Sequence, residues 1–212
     1  METKGILLIL SVAVCGLFFW PVMAEAKLVT IEIEAVVDYV DDDLSVLEGK
    51  INVGDIITGW YTYDTSTPDT NPLPYVGDYE HHTPPSGISL SVGGFEFKTD
   101  PANIDFLVEI INDSTSGGLH DSYVLISYSN LSLSNGASVD TIAWFLRDAS
   151  ATALSSTELS TTAPVLDQWQ ANVLSIESDR AFGIRGHVTS AIPEPTAILL
   201  LTVGALLVRK GR

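Results

Sequence analysis

The sequence predicts an all-β fold, an antiparallel β-sandwich of two sheets in a jelly-roll-like arrangement. Three observations predict it. Apolar residues alternate with polar ones over many short runs, Gly, Asn, Asp, Ser and Pro punctuate the intervals, and the segment between the chain ends offers no convincing amphipathic helix.

The first run sets the pattern. Val29, Ile31, Ile33, Ala35 and Val37 alternate with Thr30, Glu32 and Glu34, a strand with one buried and one wet face, whereas a helix would scatter those residues around its circumference. "GDIITGWYTYD" follows, dense in β-branched and aromatic residues. "GISLSVGGFEFKTD" sets Ile88, Leu90 and Val92 on one face before Gly93-Gly94, and Phe95 and Phe97 after them, which reads as a hairpin with a two-residue turn. "IDFLVEII", "SYVLISYS", "SVDTIAWFLRD", "QANVLSIES" and "AFGIRGHVTS" are further strand candidates. In the last, Phe182, Ile184 and Val188 face opposite to Arg185 and His187. "DDDLSVLEGK" and "SSTELSTTAPVLDQWQ" each offer a helical turn at most, and no internal repeat is detectable.

The two ends differ in kind from this domain, assigned to residues 27–190. Lys4 precedes an uncharged apolar stretch from Gly5 to Trp20, and Ala24 and Ala26 stand in an A-x-A arrangement before Lys27. That is the pattern of a secretory signal peptide over residues 1–26, with the mature chain starting at Lys27 and cleavage after Ala24 as the alternative. At the other end Thr196 to Val208 carries no charge, and Arg209, Lys210 and Arg212 follow as a basic stop that favours the cytoplasmic side. As a transmembrane helix this run reaches about 20 Å against a hydrocarbon core of about 30 Å, which suits a transient anchor.

Pro193-Glu194-Pro195, the short apolar run and the basic cluster together occupy 191–212 in the order of a known signal. The arrangement resembles the PEP-CTERM sorting signal of exported proteins in Gram-negative bacteria. The resemblance implies export past signal peptidase, a temporary hold in the inner membrane, and recognition of Pro193, Glu194 and Pro195 by an exosortase-type processing enzyme. It also implies a final place at the cell surface or outside it, with exopolysaccharide and biofilm matrix for company. The internal segments "GWYTYDTSTPDTNP", "SYSNLSL", "IAWFLRDASATALSS" and "PVLDQW" resemble a recurring PEP-CTERM-associated domain, which implies no defined activity.

Charge narrows the partners. Of 27 acidic residues 24 lie within Lys27 to Ser190, once Glu2, Glu25 and Glu194 are set aside; of 10 basic residues 6 do, once Lys4, Arg209, Lys210 and Arg212 are set aside. Such a surface repels nucleic acid and anionic lipid and favours divalent cations. The single cysteine, Cys15, lies in the signal peptide, so the mature domain has no disulfide and relies on its core.

Candidate sites are loop-borne. In "YDTSTPDTNP", Asp64, Asp69 and Asn71 put hard oxygens on a turn-prone segment, which suits calcium, although the same residues also build turns by bonding their own backbone. Trp60, Tyr75 and Tyr79 form a candidate platform for a sugar face, the alternative function being a calcium-assisted carbohydrate-binding module. Tyr61 and Tyr63 read equally well as core. His81 and His82 are adjacent on extended chain and point apart, and "PYVGDYEHHTPP" reads as a Pro-flanked loop. No G-x-S-x-G elbow, phosphate loop, H-E-x-x-H or C-x-x-C occurs, so no catalytic residue and no enzymatic activity is assigned.

Overall fold

The computed structural model describes residues 28–179 and 181–194. The signal peptide with Ala24 and Ala26, and the tail from Pro195 through Arg209, Lys210 and Arg212 with its apolar helix, lie outside the described residues. Among the described residues no helix is long and apolar enough to cross a membrane.

The domain is all-β. Its strands are β1 (Leu28–Asp41), β2 (Ile56–Asp64), β3 (Val76–His81), β4 (Gly87–Val92), β5 (Phe95–Lys98), β6 (Phe106–Ser114), β7 (His120–Ser127), β8 (Thr141–Asp148), β9 (Ala171–Ser178) and β10 (Phe182–Pro193). The alternation in the first run is realised as written: Val29, Ile31, Ile33, Ala35 and Val37 are buried, and Glu32 and Glu34 are exposed. Gly93 and Gly94 take φ of +58° and +83°, the positive pair that a tight hairpin between β4 and β5 requires.

Two expectations are corrected. The strands do not divide into two sheets but form one antiparallel sheet in the order β3-β6-β7-β8-β9-β10-β1-β2-β4-β5, curled into a half-barrel over a single core. The long β1 and β10 pair along most of their length with register shifts at Glu34/Ala35 and Val37/Tyr39, and such bulges add twist and bend. The corner between layers is thereby spanned by continuous pairing, where a sandwich would break. Curling brings β2 over β7 and β8: Tyr61 Oη lies 3.3 Å from Tyr123 Oη, and the Tyr61 ring meets Trp144 edge-on at 6.0 Å. Beyond β5, Thr99 bridges Asn130, and Thr99 Oγ1 lies 2.8 Å from Ser127 Oγ, so polar bonds draw that edge toward β7.

The second correction is β3, which occupies part of the stretch read as a loop. Val76, Tyr79 and His81 are buried, but the polar neighbours and flanking prolines mask the alternation. The two segments offered as helical turns yield hydrogen-bonded turns at 42–50 and one 3-10 turn, Leu166–Gln168. β10 also runs past Ser190 to Pro193, and the Glu194 N–H donates to Thr30 O at 2.9 Å.

Candidate functional site

The loop between β2 and β3 uses its polar atoms on itself. Asp64 Oδ1 accepts from Ser66 N and Ser66 Oγ; Asn71 Oδ1 accepts from Leu73 N. Asp69 Oδ1 accepts from Asn71 N and from Asp78 N, a donor on the outer edge of β3, so Asp69 closes part of an otherwise open strand. Asn71 Nδ2 donates to Asp78 Oδ2. These bonds engage one oxygen each of Asp64, Asp69 and Asn71, and among the described residues no group of three or more His, Cys, Asp or Glu side chains is placed to hold a metal ion. Across β3 and β6, Asp78 stands opposite Glu109, whose carboxyl is pushed up by burial and then by the Asp78 charge and hydrogen bond. Asp78 Oδ1 is buried and accepts no hydrogen bond among the described residues.

The aromatic candidates separate. Tyr79 is buried and donates its hydroxyl to Thr157 O at 2.7 Å, so it is core and cannot join a surface platform. Tyr75 is exposed at the entry to β3, and Trp60 is exposed on the outer face of β2. Tyr61 and Tyr63 point inward and stack at 5.9 Å. The histidines point apart as expected: His82 is exposed and His81 buried between the rings of Tyr63 and Phe106. Burial lowers His81 to about 4, against the opposing pull of Asp64.

Sequence reasoning passed over the two most buried carboxylates among the described residues. Asp121 and Asp148, both without exposed surface, face each other across β7 and β8. Asp148 accepts from Ser150, Thr152, Ala153 and Gln170, and the bonds from Ser150 and Thr152, led by the Ser150 hydroxyl, hold its carboxyl far below the usual range. Asp121 accepts from Asp113 N and Leu154 N. Together they pin the long 149–170 connection over the core, a structural duty. The signal was present in "RDASAT", where an aspartate precedes hydroxyl residues two and four positions on.

The outer face of the sheet holds a groove of about 390 Å³ beside Trp60. In one cross-strand row Trp60, Glu32 and Ile192 are neighbours; in the next, Thr58, Glu34 and Ser190. A bulge makes this arrangement. Val188 pairs with Ala35 and is buried, while Ser190 pairs with Glu34, so Thr189 is an extra residue that reverses the phase of β10 and turns Ser190 and Ile192 outward. On its other side Trp60 walls a second hollow of about 230 Å³ with Pro84, Pro85 and Lys98. A larger hollow, about 500 Å³, lies by Tyr39, Asp41, Glu177 and Arg185, but its Arg185 and Glu177 pair with each other at 3.6 Å. Set against known protein families, curated proteins and solved structures, the chain matches none.

Proposed function

We propose that the chain is an exported, exosortase-sorted protein of the cell surface or extracellular matrix, associated with exopolysaccharide and carrying no catalytic activity. One observation supports this above the others. β10 ends at Pro193 opposite Ile31, and Glu194 bonds back to Thr30, so the Pro-Glu-Pro triplet leaves the domain beside the start of β1. The tail therefore leaves from the same end of the sheet at which the chain enters β1, which suits a domain whose signal peptide and tail enter the same membrane. The apolar run begins at Thr196, two residues beyond Glu194, which leaves the folded domain close against the bilayer surface.

The test is replacement of Pro193, Glu194 and Pro195 together by alanine in an exporting host with the processing enzyme. The backbone bond from residue 194 to Thr30 survives this change, so the domain folds. The variant is expected to accumulate in the inner-membrane fraction, while the parent chain leaves it. Equal release of both, followed by fractionation and immunoblot, rejects the sorting reading.

A further inference from the structure

We infer that the outer-face groove beside Trp60 binds a hydroxyl-rich polysaccharide chain that carries no negative charge. The inference deepens the exported-matrix reading by naming the chemistry of the polymer, and rests on that reading only for where the polymer is met. An indole that keeps 37 % of its surface exposed on a regular strand is a flat apolar plate, the shape that accepts the C–H face of a pyranose ring. Its cross-strand neighbours supply what such a ring needs at its edge. Glu32 and Glu34, which form no ion pair among the described residues, accept hydrogen bonds from sugar hydroxyls or pair with a sugar ammonium group, and Thr58 and Ser190 add hydroxyls of either polarity.

Ser190 and Ile192 are aimed into this groove by the extra residue Thr189. A strand without the bulge would bury both, and the bulge is fixed in place by Thr189 Oγ1 donating to Glu34 O at 3.2 Å. A second hollow lies on the other side of Trp60 against Pro84, Pro85 and Lys98, so the indole stands between two depressions where successive sugar units of a chain can sit. Two carboxylates without an ion pair among the described residues, on a domain of strong negative charge, repel uronate or sulfate polymers, which leaves neutral and amino-bearing chains.

Titration calorimetry on the full chain in detergent micelles tests this with three probes: cellohexaose, a glucosamine hexamer and hexagalacturonate. The expected result is saturable binding of the first or second, weakened about tenfold or more by Trp60→Ala and equally by Ser190→Arg, which puts a long side chain into the groove and leaves Trp60 in the sequence. Tyr75→Ala leaves affinity unchanged. Binding of the glucosamine hexamer is further expected to fall in salt and in Glu34→Gln, while binding of cellohexaose is indifferent to salt. Three results overturn the inference: hexagalacturonate bound as tightly as the other two, affinity unchanged in both groove variants, or no saturable heat with any probe. The failure of sorting is separable, because the alanine variant of residues 193–195 keeps the groove and binds the same oligosaccharide even if its release is normal.

Discussion

Two acidic, turn-rich connections, 64–75 and 148–170, look alike in sequence and serve the fold in different ways. In the first, Asp64 and Asp69 bond to neighbours a few residues away and stay near solvent. In the second, Asp148 and Asp121 are fully buried, and Leu154 N reaches across to Asp121 while Gln170 reaches back to Asp148. The difference is what each carboxylate would lose if its partners left. An exposed Asx turn returns its donors to water at little cost, whereas donors in part-buried bonds to a fully buried carboxylate regain water less readily.

The largest expected effect follows directly. Asp121→Ala leaves Asp113 N and Leu154 N without their acceptor and is expected to destabilise the domain by about 2–4 kcal/mol. Asp148→Ala is expected to destabilise as well, because several donors converge there, and chemical denaturation of both variants beside the parent measures both losses. A loss at Asp148 no larger than at an exposed Asx turn would erase the distinction between the two connections.

Acid separates the two connections by pH window. The folded Asp148 carboxyl lies below its ordinary value near 3.8, so its contribution is present above that value and is lost as pH falls from there through the lower, folded one. His81, bonded through Nδ1 to Thr67 Oγ1 of the 64–75 connection, is lowered from 6.5 to about 4. The unfolded chain then binds the extra proton between those values, so stability declines as pH drops from 6.5 to about 4. Thermal melts across both windows are expected to show two declines; His81→Phe removes the upper one, and Asp148→Asn the lower. An upper decline that survives His81→Phe assigns it elsewhere.

How far the sequence reached depends on the range of the forces involved. Alternation set by one residue's distance from the next was legible, hence β1, β2, the Gly93-Gly94 hairpin and β6 to β10. β3 was not, because an edge strand is wet on more sides and Asp78, Glu80 and Gly77 dilute its pattern. The single curled sheet was out of reach, since the β1–β10 pairing joins residues at opposite ends of the domain and its bulges depend on local strain. Trp60 was legible as an exposed ring, but its groove was not: the extra residue Thr189 is visible only once β10 has a partner. Tyr79 shows the converse error, a loop-like setting hiding a residue whose hydroxyl is held by Thr157 O.

The smallest expected effect concerns calcium. Asp69 Oδ1 already accepts two backbone N–H bonds, Asp64 Oδ1 takes both donors of Ser66, and Asn71 Oδ1 is held by Leu73 N. Calcium wants six to eight oxygens around one point, and three of the oxygens here already hold the turns. The domain nevertheless carries strong like-charge repulsion, which any cation screens. Thermal melts in calcium chloride and in sodium chloride of matched ionic strength are therefore expected to shift upward together. Asp69→Ala is expected to cost about 0.5–1 kcal/mol through the lost turn and the freed β3 edge, and to leave the ion response unchanged. A calcium shift well above the sodium one, abolished by Asp69→Ala, would mean that the loop rearranges around the ion, and that its exposed carboxylates gather on one shared partner as the donors of the 148–170 connection gather on Asp148.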